Sequence, residues 1–234
     1  MSKKAGQKRL VILLGPPGSG KGTQAELLAE RFNLYYFETS RILEEKFRTG
    51  KGGESMRVGG KDYKISDEKK NWETGKLCSP PFVTYLVARK IKELHHEGKN
   101  IILSGSPRTL YEGEKIVPIL KELFGVNNIK VFFLELTPEQ TIWRNTHRRI
   151  CELMRHPILY TEENAKLKKC PFDGSILLER KGLDDPETIK VRLKEYKERT
   201  YPLIQYFTKE RLLVIKINGE QSVEDVFKDI LKSM

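Results

Sequence analysis

Long apolar runs are missing from this chain. No stretch approaches the ~18 residues that a membrane span needs, so no membrane partner is expected. Cysteine is scarce and odd in number, with only Cys78, Cys151 and Cys170. Three thiols do not make a disulfide framework, which points to a reducing, cytoplasmic setting. The apolar run after the basic Met1-Ser2-Lys3-Lys4 is too short for a secretion signal. Histidine is also sparse, and His95, His96, His147 and His156 form no Ser/His/Asp arrangement that would suggest a nucleophilic hydrolase. Acidic residues are in deficit: 32 Asp plus Glu against 43 Lys plus Arg leave a net charge of +11. Such a surplus favours polyanionic partners. Basic segments interleaved with aromatic residues are absent, so nucleic acid is not an expected partner and small anions are. A monomer is expected.

What is present begins with Gly15-Pro16-Pro17-Gly18-Ser19-Gly20-Lys21-Gly22-Thr23-Gln24. It follows the apolar run 10–14 directly and precedes an amphipathic pattern of Ala25, Leu27, Leu28, Ala29 and Phe32. Buried strand, glycine loop and helix, in that order, form the context of a phosphate-binding loop. Glycines let backbone N–H groups turn toward phosphate oxygens, and the helix start adds a positive dipole end. Lys21 adds a mobile charge for the terminal phosphates. The generic motif asks for Ser or Thr directly after the lysine. Here Gly22 takes that place and Thr23 follows.

Further strands are predicted at 34–37, 100–104, 131–136 and 212–217, alternating with helices. One long helix is expected at 186–207. This alternation predicts an α/β fold of three layers, with a parallel sheet covered on both faces. Two stretches depart from it. Residues 49–65 are glycine-rich and charged, and read as a flexible excursion; 151–183 lose clear periodicity. The expected organisation is a core of 1–39, 80–148 and 184–234, an inserted lobe at 40–79 and a second insertion at 149–183.

Ligands on such sheets bind beyond the carboxyl ends of the strands. The loop Gly105-Ser106-Pro107-Arg108-Thr109 lies there by construction, as does the glycine loop. Candidate phosphate cations are Lys21, Arg108, Arg144, Arg148, Arg149 and Arg192. Arg144 and Arg148, spaced i,i+4, share a helix face just before the second insertion. Within that insertion, Cys151-Glu-Leu-Met154 and Cys170-Pro-Phe-Asp173 resemble two half-broken C-x-x-C knuckles. Cys151, Cys170 and Asp173, with His156 as a fourth, could hold zinc; the alternative is a packed remnant.

Taken in order, these motifs resemble those of the adenylate kinases and related nucleoside monophosphate (NMP) kinases. Their phosphate loop has glycine after the lysine, their second loop reads G-F-P-R-T, and a G-R-R opens a long lid that His147-Arg148-Arg149 resembles. Asp184-Asp185-Pro-Glu-Thr188 with Arg192 resembles the lid's exit, and Ile217-Asn-Gly219 the turn after the last strand. The resemblance implies phosphoryl transfer from ATP to an NMP, with magnesium, between an NMP-binding lobe and a lid. It assigns Gly18, Ser19, Gly20, Lys21, Gly22, Thr23, Arg144, Arg148 and Gln221 to ATP, with Tyr160 against its adenine. Thr39, Lys76, Leu77, Cys78, Gly105, Ser106, Pro107, Arg108, Glu112, Arg180 or Lys181, and Arg192 fall to the monophosphate. Lys21, Arg108, Arg148 and Arg192 would carry the catalysis.

Four positions depart from the pattern. The segment T-G-D-x-x-R reads Thr39-Ser40-Arg41-Ile42-Leu43-Glu44, so an aspartate becomes Arg41 and a phosphate-binding arginine becomes Glu44. Ser104 replaces an aspartate that helps organise magnesium, and Glu112 replaces the glutamine that reads adenine. The alternative these exchanges raise is a nucleotide-binding protein whose phosphoryl transfer is altered or lost.

Overall fold

The computed structural model describes residues 8–50, 53–155, 157–180, 182 and 184–234. It opens with strand β1 (Leu10–Leu14), helix α1 (Lys21–Phe32), strand β2 (Tyr35–Glu38) and helix α2 (Thr39–Thr49). Strands β3 (Ser55–Val58) and β4 (Lys61–Lys64) pair antiparallel and lead into α3 (Ile65–Glu73). Next come α4 (Pro80–His96), β5 (Ile101–Ser104), α5 (Leu110–Phe124), β6 (Ile129–Glu135) and α6 (Pro138–His147). Strands β7 (Arg149–Cys151), β8 (Pro157–Ile158) and β9 (Leu177–Leu178) form a small antiparallel sheet, with α7 (Glu162–Ala165) between its last two strands. The chain closes with α8 (Pro186–Glu195), α9 (Leu203–Lys209), β10 (Val214–Asn218) and α10 (Val223–Leu231).

Five of these strands make the central parallel sheet, in the order β10-β6-β1-β5-β2. Every residue of β1 is buried, because helices cover both faces. Strand alternation splits it between two apolar layers. Leu10, Ile12 and Leu14 join Phe82 and Ile91 of α4, Ile116 and Leu120 of α5, and Phe207 of α9. Val11 and Leu13 join Ala25 and Leu28 of α1 and Val226 and Ile230 of α10. Each fully buried Leu or Ile contributes about 1.5–3 kcal/mol. This ordinary packing fixes the strand ends and hence the loops that follow them.

Two expectations change. The glycine-rich stretch at 49–65 holds a hairpin, its strands joined at Gly59 and Gly60, both with positive φ (58° and 83°). Met56 and Tyr63 pack its inner face against the main core. The long helix expected at 186–207 is broken. After α8 the backbone widens into a π-helical turn at Tyr196–Thr200, where Tyr201 N–H donates to Tyr196 O at 2.8 Å. Pro202, which has no N–H to donate, stands just before α9. No described helix is long and apolar enough to cross a membrane.

Candidate active site

Parallel strands bring all their carboxyl ends to one edge of the sheet, and a cleft of about 840 Å³ opens there. Its floor is the glycine loop. Gly15 (φ 147°) and Gly18 (φ 79°) sit where a side chain is barred twice over. A Cβ at Gly15 would stand 2.5 Å from Leu134 O, and one at Gly18 would stand 2.5 Å from Asn145 Nδ2. Lys21, at the first position of α1, folds back over the loop. Its Nζ donates to Gly15 O and Pro16 O at 2.7 Å each, and to Ser19 Oγ at 3.2 Å. Burial pulls its pKa well below the usual lysine value, and the charges of Arg108, Arg192 and Arg148 add to the shift.

Those arginines come from three segments. Arg108 stands in the loop after β5; Arg148 ends α6; Arg192 lies on α8. Arg144, Arg148, Arg180 and Arg192 all line the cleft together with Lys21 and Arg108. Asp184 is their main counterion. It is 8% exposed and accepts from Arg148 Nη2 at 2.6 Å and 2.8 Å and from Arg148 Nε at 3.0 Å. Arg192 Nη1 reaches it at 3.4 Å. Burial lowers the pKa of Arg192, and Arg148 and Arg180 press it further down; a guanidinium remains charged at neutral pH even so. Burial, and then Arg148, lower that of Arg180 as well. This is a crowd of cations in a partly dry space, the setting in which a polyphosphate gains most from charge-assisted hydrogen bonds.

Other expected residues divide by position. Gly18, Ser19, Gly20, Gly22, Thr23, Lys76, Leu77, Gly105, Pro107, Tyr160 and Gln221 line the same cleft. A small side cavity of about 20 Å³ adjoins it, lined by Thr39, Cys78 and Glu112, with Trp72, Lys76, Leu77 and Arg108 common to both. Thr39 Oγ1 is buried there with no hydrogen-bond partner. Ser106 is fully buried and outside the cleft lining. Cys78 donates its thiol to Glu68 O at 3.4 Å, and burial raises its pKa to about 12. Arg149 turns away altogether, its guanidinium hydrogen-bonded to the carbonyls of Leu167 and Asn164. Lys181 and His156 lie outside the described residues.

The chain is similar to known proteins over nearly its whole length. A family model described as adenylate kinase matches residues 13–212. The adenylate kinase of Methanothrix thermoacetophila is 33% identical over 225 residues, covering 95% of this chain and 96% of that one. That of Caldicellulosiruptor bescii is 33% identical over 228 residues, 96% of this chain and 98% of the relative. A third, from Clostridium botulinum, is 33% identical over 224 residues, covering 94% and 95%. This chain belongs to the adenylate kinase family.

Against that family's pattern, the four exchanged positions have definite surroundings. Arg41 is paired with Glu38 at 2.8 Å and lies over the ring of Tyr36. Glu44, on α2, meets Arg155. Ser104 ends β5 in register with Glu38. Glu112 is buried, accepting from Arg108 N–H at 2.9 Å and from Thr109 Oγ1 at 3.2 Å, with Ser106 Oγ at 3.5 Å. Burial raises its pKa, partly offset by the Arg108 N–H bond.

Several lining residues carried no signal in the sequence. Trp143 stacks on His147 at 5.0 Å and meets the Tyr160 ring edge-on at 5.5 Å. Its i,i+4 spacing to His147 was readable, but the fold alone brings Tyr160 to it. Glu38, Arg155 and Glu195 line the cleft without belonging to any local motif. Cys151, on β7, and Cys170 and Asp173, in the turn before β9, stay apart from the cleft lining, and their ligand atoms all lie within 4.8 Å of one another. Met154 is 61% exposed.

Proposed function

We propose that this adenylate kinase family member transfers the γ-phosphoryl group of ATP to AMP or a related nucleoside monophosphate. One observation carries the reading: Lys21, Arg108, Arg148 and Arg192, from four separate segments, meet over a single glycine loop. Phosphoryl transfer asks a protein for alignment and charge neutralisation rather than a covalent partner. Amides of residues 18–23, with Lys21, Arg144 and Arg148, hold the triphosphate. Its adenine rests near Trp143, Tyr160 and Gln221. Thr39, Lys76, Leu77, Cys78, Gly105, Pro107, Arg108, Glu112, Arg180 and Arg192 serve the acceptor, with the buried Ser106 supporting Glu112. Arg108 and Arg192 span both nucleotides and stabilise the charge that spreads over the transferring group. Residues 40–79 and 149–183 close over the two nucleotides and exclude water, which would otherwise compete as acceptor.

Magnesium, bound with ATP, would supply neutralisation of the phosphate charge. Hard oxygen donors suit it, and Thr23, Glu26 and Glu38 supply them in the cleft wall beside the loop. Zinc in the 149–183 segment is part of the same reading; Cys151, Cys170 and Asp173 would hold it. We further propose a cytoplasmic monomer.

A coupled assay with AMP, CMP, UMP, GMP and their deoxy forms tests the reading. Magnesium-dependent turnover, abolished in Lys21→Met, is the expected result. Folded protein that turns over none of them overturns it. Thermal stabilisation by ATP without transfer would then favour a nucleotide-binding protein, consistent with the exchanges at Arg41, Glu44, Ser104 and Glu112.

A further inference from the structure

Glu44 and Arg155 come from different segments and meet at the cleft. Glu44 lies on α2, and Arg155 stands in the turn between β7 and β8; both line the cleft wall. Arg155 Nη1 is 3.7 Å from Glu44 Oε2, and the arginine side chain is 54% exposed. The contact is single and long, unlike the close double grip of Arg148 on Asp184. A contact this long, with its arginine exposed and Glu44 half-buried, contributes little to stability and is easily exchanged. The backbone of Arg155 is left-handed (φ 59°), an unusual state for a branchless but bulky side chain. Its N–H donates to Cys151 O at 3.1 Å, so the turn itself holds that conformation.

The charge pattern gives the pair a use. Arg155 and Glu44 both act on Arg180; Arg148 and Arg180 act on Arg192; Arg192 and Arg108 act on Lys21. Lys21, Arg108, Arg148, Arg180, Arg192 and Arg155 all line the one cleft. Two carboxylates stand among these cations: Asp184, held by Arg148 and Arg192, and Glu44 on α2. A carboxylate on α2 repels a phosphate dianion, so α2 cannot itself grip an acceptor's phosphate at this position.

We propose that Arg155 supplies, from across the cleft, the guanidinium that grips the acceptor's phosphate, and that Glu44 is its docking partner between turnovers. The inference rests on the kinase reading above. A phosphate dianion offers more charge than a carboxylate and takes a guanidinium bidentately, so it displaces Glu44. Because Arg155 already reaches α2 through Glu44, the exchange passes that hold from the carboxylate to the acceptor's phosphate.

The decisive variant is Arg155→Gln, with KM measured separately for acceptor and for ATP. The acceptor KM should rise about tenfold or more while the ATP KM stays within about twofold. Arg155→Lys should recover part of the loss. Placing an arginine on the other wall, as Glu44→Arg in the Arg155→Gln background, should bring the acceptor KM back toward wild type. An unchanged acceptor KM, an equal rise in both KM values, or no recovery in the double variant would overturn the proposal. Wild-type protein with no turnover on any acceptor would instead count against the kinase reading. In that event calorimetric titration of AMP into wild type and Arg155→Gln decides, since equal affinities would still refute a phosphate contact.

Discussion

Glu38 and Ser104 are register partners at the carboxyl ends of β2 and β5, and both line the cleft. The family pattern places an aspartate where Ser104 stands. Here the neighbouring strand brings a carboxylate to the same edge. Glu38 is held ready by Ser40 Oγ at 2.7 Å and Arg41 Nε at 2.8 Å. The exchange to Arg41 is therefore coupled to it: the residue that replaced one family carboxylate positions another. Glu38→Gln should raise the magnesium concentration for half-maximal turnover about tenfold, the range seen when partners around a bound metal are removed. Affinity for metal-free ATP should not change. Manganese titration followed by paramagnetic resonance checks the metal arm without relying on turnover. An unaltered metal affinity would leave the ion to Thr23 and the phosphates.

Asp184 offers a different test, because it neutralises cations that a substrate would otherwise neutralise. Asp184→Ala leaves Arg148 and Arg192 without their shared carboxylate. Their side chains are 23% and 24% exposed, so water relieves part of the penalty. A loss of about 2 kcal/mol is expected, below the range for a fully buried pair. For a domain of this size that lowers the melting temperature by about 4–8 °C. Two nucleosides joined through a polyphosphate should stabilise the variant by more than they stabilise wild type, since phosphates replace the missing charge. Calorimetric melting with and without that compound checks both statements. Equal ligand shifts would mean that the phosphates bind elsewhere.

The sheet and the glycine loop were legible because both are local. A run of five apolar residues followed by glycines and a lysine states strand, turn and helix within a few positions. Residues that depend on distant pairing were not legible. Met56 and Tyr63 sit in a polar, glycine-rich stretch whose strand character appears only once the hairpin packs on the core. Tyr196 to Thr200 carry helix-forming residues. Their widened turn answers to a contact far away in sequence, the Thr200 hydroxyl donating to Arg108 O at 2.7 Å. Among the expected site residues, arginines near loops fell in the cleft, but Arg149 did not, since its carbonyl partners at Asn164 and Leu167 lie in a segment without periodicity. Arg155, and the meeting of Trp143 with Tyr160, needed the folded chain to be noticed.

Glu112 connects stability with pH. Burial raises its folded-state pKa above that of the unfolded chain, where a glutamate titrates near about 4.3. The fold therefore favours the protonated acid. Its contribution is full below the unfolded value and is lost as pH rises through the folded one. Glu112→Gln cannot ionise and escapes that loss. The variant should melt at least as high as wild type at neutral pH, and the gap between them should narrow toward pH 4 (about the unfolded value). The amide also adds an N–H that an ionised carboxylate lacks, so the KM for AMP should fall. Melting curves across pH and AMP kinetics test the two effects separately. A gap that widens in acid would mean that Glu112 is stabilising as the anion.

The cysteine cluster is the last place where sequence and structure leave a sharp choice. Cys151 donates its thiol to Asp173 Oδ2 at 3.0 Å, and Ser175 N–H and Oγ donate to Asp173 Oδ1 at 2.9 Å and 2.7 Å. These bonds hold the Asp173 carboxyl well below its ordinary pKa, the Cys151 thiol being the largest cause. A hydrogen-bonded cluster of this kind can stand without metal. Zinc would take the same three groups as ligands, with both thiols deprotonated, and its binding energy would add to folding. Protein produced with zinc should then contain it at near-stoichiometric amounts, and chelation should lower the melting temperature. Met154 stands where a C-x-x-C knuckle has its second cysteine. Met154→Cys should therefore tighten zinc by at least about tenfold, because a thiolate at the knuckle's second position is a far better zinc ligand than a thioether. Metal analysis and zinc competition with a chromogenic chelator give both numbers. If wild type holds no zinc and only Met154→Cys acquires it, the methionine at that position is what leaves the segment to hydrogen bonds alone.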